Sequence, residues 1–286
     1  MRTWRFCRVA VGFGCRRKGA SCLHWLADSR TPFPVSHLLE NPVSWPEILS
    51  LAVLPAFLLL DVVTPAATGR ARWWRSRALV VSVANFWFTL WIGLLWGSYF
   101  GGLHVFDGAV LGTAGGAVVG VLVYEFFHYT YHRSAHRFDA LWRLGHQMHH
   151  SAETLDAWGA FYLHPLDAAL FTTISSIVLF PLLGLSPEAG AWAVAALTFM
   201  AVFQHARVRT PRWLGYFIQR PESHAIHHQR GVHAHNYADL PLWDIVFGTF
   251  RNGPAHAPWP EQGFHDGASR RIAEMLAFRD VSGAQR

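Results

Sequence analysis

Acidic side chains and cysteines are scarce in this sequence. Asp and Glu together number 18 in 286 residues, and charged residues of both signs make up only 15%. An ordinary soluble globular chain carries about a quarter, so a conventional soluble surface is excluded. The three cysteines, Cys7, Cys15 and Cys22, all lie near the N-terminus. Their spacing matches no zinc or redox motif, and three thiols are too few for an iron–sulfur cluster. No G-x-G-x-x-G follows a strand-like run, so there is no dinucleotide or flavin fingerprint. No H-E-x-x-H is present to support a zinc hydrolase. Basic side chains outnumber acidic ones, 24 to 18, but they form no stripe and border no aromatic platform of the kind nucleic acid requires. That surplus suits membrane topology and anionic lipid head groups instead.

Apolar residues fill much of the remainder. Hydrophobic residues make up 52% and tryptophans number 14, more than a soluble core needs and suited to the belts at membrane interfaces. The apolar stretches are Ile48 to Val63, Ala78 to Phe100, Ala109 to Phe127, and a pair, Ala168 to Leu185 and Ala189 to Phe203, around a Gly184–Pro187 turn. Their lengths suit membrane-spanning or membrane-dipping helices. Gly112, Gly116 and Gly120 recur at four-residue steps, the small-residue pattern that lets helices approach closely in lipid. The reading is all-α: an integral membrane helical bundle with a cytoplasmic histidine-rich cap. Residues 1–46 form a basic N-terminal arm, 47–255 the membrane-embedded domain and 256–286 a C-terminal tail.

Orientation follows from a basic loop with Arg70, Arg72, Arg75 and Arg77, which the positive-inside rule assigns to the cytoplasm. The second stretch then runs outward and the third returns inward. The hairpin leaves and re-enters on that same side. The same assignment puts the basic arm outside, against the rule, unless the first stretch is re-entrant or the arm carries no topology signal.

Histidine is unusually abundant, 18 in all. His128, His132 and His136 are four apart, and His146-x2-His149-His150 is repeated at His224-x2-His227-His228. Residues three and four apart share a helix face, so each run can aim two or three imidazoles at one point. Neutral imidazole ligates iron, zinc, copper and nickel. The spacing implies a metal site for more than one ion.

The ordered motifs are His132-Arg133-x2-His136, Leu141-Trp142, His146-x2-His149-His150-Ser151, His164-Pro165-Leu166 and Phe203-Gln204-His205. They continue as His224-x2-His227-His228, Asn236-Tyr237, Leu242-Trp243-Asp244 and Phe247-Gly248-Thr249. From about Tyr124 to Phe250 the chain resembles the fatty acid hydroxylase and sterol desaturase superfamily of membrane non-haem di-iron oxygenases. The resemblance implies two ferrous ions with O2 as co-substrate, and His132, His136, His146, His149, His150, His164, His205, His224, His227 and His228 as ligands. It implies hydroxylation or desaturation of a lipid from the bilayer, whether fatty acyl, sterol-like, carotenoid or ether lipid. Electrons must come from an external reductase, ferredoxin or cytochrome. Two departures stand out: Arg207 where the family often has Asn, and Glu125 where it often has Asp.

Neutral ligands leave the ions' charge to be balanced nearby. Glu125, Asp239 and Asp244, with Glu153 and Asp156 also eligible, are expected to accept from imidazole N–H groups, and Asn236 to stand behind the ligands with them. His128 has ligand spacing, but family members usually carry an aromatic there. His233 and His235 are candidates to orient ligands, and His24, His37, His104, His256 and His265 are read as ordinary. Two other readings remain. A bis-histidine haem protein needs one histidine on each of two helices, and a metal transporter needs ligands between broken helices at mid-membrane. Histidines clustered at helix ends fit neither well.

Overall fold

The computed structural model describes residues 43–63, 71–100, 102–254 and 258–283. The basic arm with its cysteines, His24, His37, Arg70 and His256 lie outside the described residues. From Ser44 onward the chain forms one unit, all-α and without strands among the described residues.

Four helices are long and apolar enough to cross a membrane: Trp45–Val63, Trp74–Phe100, Gly108–Arg137 and Pro165–Leu182, and the chain is a multi-pass membrane protein. We label the helices α1 (Trp45–Val63), α2 (Trp74–Phe100), α3 (Gly112–Arg137), α4 (Gln147–His150), α5 (Pro165–Ile177), α6 (Pro187–Phe203), α7 (Pro221–His227) and α8 (Pro241–Val246). The apolar run read as ending at Phe127 continues as helix to Arg137. The polar sequence beyond it keeps the helical register, so His132 and His136 ride on the last turns of α3.

Long neighbours pair up: α6 lies along both α3 and α1, while α5 lies along α2. The α3–α6 approach depends on two of the spaced glycines. A Cβ at Gly116 would stand 2.9 Å from Ala189 Cβ, and one at Gly120 would stand 2.8 Å from Leu185 Cδ1. Backbones this close gain van der Waals contact, which is what holds helices together in lipid. Gly112 makes no such contact; its φ of 64° places it at the turn that starts α3.

Polar groups on the long helices tie the bundle to the segment that follows His146, His149 and His150. Asp61, near the end of α1, is fully buried and accepts the Ala157 N–H at 2.6 Å. Asn85 of α2 donates to the Leu163 carbonyl at 2.8 Å, and Trp74 Nε1–H to Asp156 at 3.0 Å. An uncompensated polar group in hydrocarbon costs several kcal/mol, about 4–8 on the harshest reference scale. These bonds remove that cost and fix where residues 156–163 lie under the site.

Candidate metal centre

Three elements carry most of the histidines to one place. His132 and His136 are one α-helical turn apart on α3. Residues 142–146 form a π-turn that runs directly into α4, carrying His146, His149 and His150. α7 carries His224 and His227 and ends at His228, and His205 follows the end of α6. Proline opens α7 at its first position, where a missing N–H costs nothing.

The imidazoles fall into two groups. His132, His136, His146, His150 and His227 each offer one ring nitrogen, all within 4.8 Å of one another, and His149, His205, His224 and His228 do the same. The H-x-x-H-H spacing explains the division. In each copy the i,i+4 pair shares a face, and the i+3 residue is turned about 60° away by the helix's 100° step. So His146 and His150 enter the first group while His149 crosses to the second; His224 and His228 enter the second while His227 crosses to the first. The groups adjoin, with the His150 and His228 rings stacked at a centroid distance of 4.1 Å.

Hydrogen bonds on the outer side set which nitrogen faces inward. His132 Nδ1–H donates to the Tyr237 carbonyl at 2.7 Å and His227 Nδ1–H to the His235 carbonyl at 2.7 Å. His205 Nδ1–H donates to the Ala201 carbonyl at 2.7 Å, and His146 Nδ1–H to Asp167 Oδ2 at 2.9 Å. A carbonyl only accepts, so in these rings Nδ1 carries the proton and Nε2 presents a lone pair. Those lone pairs meet. Nε2 of His205 lies 3.1 Å from Nε2 of both His149 and His224, and Nε2 of His228 lies 3.0 Å from that of His224. In the first group Nε2 of His146 and His150 are 3.1 Å apart, and Nε2 of His132, His136 and His227, all buried, has no hydrogen-bond partner. Lone pairs facing each other repel unless a cation lies between them. Two nitrogens bound side by side to one first-row ion at about 2.1 Å would stand about 3.0 Å apart. The donor set fits metal.

Burial keeps these rings neutral. It is the largest cause, followed by neighbouring imidazoles, that pushes His149, His150, His224, His227 and His228 well below the ordinary histidine range. Burial also pushes His205 down to about 4. A neutral ring is the form that ligates.

His164 is the exception among the ten expected ligands: it stands outside both groups. Its Nδ1 accepts the Leu166 N–H at 3.1 Å, capping α5 as a residue before a helix-starting proline can. The carboxylates expected to partner the ligands are engaged by other donors. Asp244 accepts the N–H groups of Tyr237 and Ala238 at 2.9 and 2.8 Å. Asn236 bridges the Ser223 and Arg251 backbones. Both hold the loop whose carbonyls receive His132 and His227, so they act at one remove. Glu153 accepts from Gly267 and Ser269, and Asp156 from Trp74. Glu125, Asp239 and His128 form a separate buried group. His233 reaches the site through Nδ1, 3.1 Å from Nδ1 of His150, whereas His235 contributes its carbonyl. Arg207 extends over the Trp259 ring at 5.5 Å.

The carboxylate that does bind an imidazole is Asp167, which sequence reasoning passed over. It is fully buried, and Tyr131 Oη–H donates to its other oxygen. Gly145 admits it: a Cβ there would lie 2.9 Å from Asp167 Cβ. The signal was an acid three residues after His164, which reads equally well as a charge complementing a helix N-terminus.

Beside the histidines lies a cavity of about 220 Å³. Phe171, Thr172 and Ser175 of α5 form one wall, Val194, Leu197, Thr198 and Ala201 of α6 another, and His132, His146, His149, His205 and His224 its metal-facing end.

Residues 117–249 match the fatty acid hydroxylase family. Sphinganine C4-monooxygenase 1 of Arabidopsis thaliana is 28% identical over 46% of this chain and 53% of its own length. Very-long-chain aldehyde decarbonylase GL1-9 of Oryza sativa subsp. indica is 29% identical over 46% and 53%. Ornithine lipid hydroxylase OlsE of Rhizobium tropici is 32% identical over 48% and 42%. The chain thus spans about half the length of the curated relatives it matches, and no solved structure matches it. The matched stretch includes His132, His136, His146, His149, His150, His205, His224, His227 and His228, and over it the chain is similar to the fatty acid hydroxylase superfamily.

Proposed function

We propose that this protein is an O2-dependent oxidoreductase that hydroxylates or desaturates a lipid drawn from the bilayer, with residues 47–255 as its functional unit. One observation carries the reading: two adjoining groups of neutral imidazoles close the end of a cavity whose other walls are mostly apolar and come largely from α5 and α6. The groups would hold two iron ions, His132, His136, His146, His150 and His227 one, and His149, His205, His224 and His228 the other. Iron accepts imidazole readily. Two ferrous ions there would supply the O2-derived oxidant that breaking an alkyl C–H bond requires.

The rest is the work of the chain's own residues. α5 packs on α2, and α6 on α1 and α3, so the space between α5 and α6 gives an alkyl chain a lateral way in from lipid. Phe171, Val194 and Leu197 exclude water along it. Asp167, Tyr237 O and His235 O hold three rings in one orientation, which limits the motion of the metal-facing end. The histidines sit on the same side of the bundle as the start of α2, where Arg72, Arg75 and Arg77 cluster, and the positive-inside rule supports a cytoplasmic site on that side. Electrons would come from a separate donor, since the sequence carries no flavin or nicotinamide fingerprint. The names of the matched sphinganine and ornithine lipid enzymes agree with a lipid substrate.

The haem reading is disfavoured by the 3.0–3.1 Å spacing of ring nitrogens. Axial haem ligands face each other across a flat macrocycle and cannot crowd side by side. Lipid profiling of a deletion strain against wild type tests the proposal: the mutant should lack a species bearing one extra oxygen or double bond. His149→Ala should reproduce that loss while the protein stays in the membrane. Full product with His149→Ala would overturn the assignment.

A further inference from the structure

Glu125, His128 and Asp239 form a third buried polar group, one α-helical turn from His132, that the two histidine groups leave unused. Glu125 is fully buried on α3. Its Oε2 accepts the N–H groups of Asp239 and Leu240 at 2.8 and 3.1 Å, while its Oε1 has no hydrogen-bond partner. His128 Nδ1 stands 3.6 Å from Glu125 Oε2 and 3.9 Å from Asp239 Oδ1, beyond direct hydrogen-bond reach. Gln204 Nε2–H donates to Asp239 Oδ1 at 2.7 Å; Oδ2 carries no hydrogen bond. His128, Gln204 and Asp239 all line the cavity beside the metal-facing histidines.

A carboxylate walling an otherwise apolar cavity, with an oxygen unused, is costly unless a donor comes to it. Asp244 is not a comparable case, because three donors satisfy it. The loop position of Asp239 is itself fixed by its own N–H on Glu125, so the carboxylate is held in place.

We propose, resting on the reading of this cavity as the lipid site, that Asp239 binds a hydrogen-bond-donating group of the substrate, an alcohol or a protonated amine. Gln204 orients the carboxylate, and Glu125 and His128 stand behind it. Asp239 lines the same cavity of about 220 Å³ as His149, His205 and His224, so the carbon that reacts lies within a few bonds of that group, and the alkyl tail runs toward the α5–α6 opening. The substrate class is a long-chain lipid carrying an unblocked alcohol or amine near the oxidised carbon. A bare hydrocarbon or a capped ether does not qualify.

The test uses the purified, metal-loaded full chain in detergent and three probes of one chain length: octadecylamine, octadecanol and octadecyl methyl ether. Binding is read by tryptophan fluorescence, independently of turnover. Wild type should bind the amine or the alcohol at least tenfold more tightly than the ether. Asp239→Asn keeps an oxygen for Gln204 but offers an NH2 in place of Oδ2. It should weaken the amine at least tenfold, the alcohol less, because a hydroxyl can also accept, and the ether not at all. Amine loss with Asp239→Asn identifies an ammonium, and a preference for the alcohol over both others identifies a hydroxyl; either supports the proposal. Equal binding of all three by wild type overturns it without any variant. Unchanged binding of the preferred probe by Asp239→Asn, in protein with wild-type metal content and melting temperature, overturns it too. If no probe or lipid extract is ever oxidised while this discrimination persists, the failure belongs to the oxygenase reading and not to the head-group site.

Discussion

The two histidine groups adjoin through His150 and His228, yet they are held differently. In the group of five, His132, His146 and His227 donate from their outer nitrogens to Tyr237 O, Asp167 and His235 O. In the group of four, His205 donates to Ala201 O, while His224 Nδ1 is buried without a hydrogen bond. Three of the four rings of the smaller group, His149, His205 and His224, face the cavity, against His132 and His146 of the five. The larger group is therefore the more tightly held half of the centre, and the smaller one has fewer outward donors and a larger share of its rings on the substrate space. A metal site that keeps a position open for reactants is one with fewer protein ligands. We expect the group of four to be where O2 and substrate meet the metal.

The largest effect should come from removing a ligand of the smaller group. His224→Ala should take product below detection, a loss of at least about a thousandfold on the scale of removing an essential catalytic group. Metal analysis should find about one ion where wild type holds two, because the five-histidine group stays complete. Retention of both ions, or loss of both, would break the distinction between a more and a less tightly held half. Next in size is Asp167→Asn, which keeps the shape but weakens the bond that orients His146. Loss of such a partner typically lowers metal affinity or activity about 10–100-fold. The loss should fall on the ion of the larger group, visible as one metal chelated away faster. Equal release rates for both ions would argue that Asp167 matters only for packing.

Acid should sharpen the comparison further. Burial and neighbouring imidazoles lower the folded-state values of His149, His150, His224, His227 and His228, and burial lowers His205 to about 4. The unfolded chain, titrating near 6.5, binds more protons in that window. Stability of metal-free protein should therefore be full above about pH 7 and fall as pH drops from about 6.5 toward 4. Bound metal should resist the decline, and the smaller group should release its ion first. Melting curves at pH 7.5 and 5.5, with and without metal, measure this; a metal-free protein no less stable at pH 5.5 would contradict it.

Parts of this centre were legible in the sequence because they rest on local periodicity. The i,i+3,i+4 spacing of His146, His149 and His150 is a statement about one helix. So is the apolar run that became α3. The partition into two groups was not legible, since it depends on how α4 and α7 face each other. Asp167 escaped notice because an acid in a helix's first turn has an ordinary local explanation. The imidazole partners were sought among carboxylates, but most proved to be carbonyls of residues 235, 237 and 201, and every residue has a carbonyl. What selects these is the left-handed backbone at His233, His235 and Asn236, with φ of 39°, 68° and 51°, held by Asp244 and Asn236 from the side. Backbone of that kind costs energy for residues other than glycine and persists where the surroundings over-determine it.

The smallest effect tests the boundary of the centre. His164 immediately precedes the helix that carries Asp167, and its motif position suggested a ligand. Its ring nitrogen instead caps α5 through the Leu166 N–H, and its ring packs near Phe278 with centroids 5.3 Å apart. Removing a cap costs about 1 kcal/mol. His164→Ala should therefore lower the melting temperature by about 2–4 °C for a chain of this size, leave both ions in place and reduce turnover only modestly. His164→Asn, with a side-chain oxygen that can accept the same N–H, should recover most of the stability. Loss of an ion from His164→Ala, unrecovered in His164→Asn, would move this residue into the centre and redraw the division between its halves.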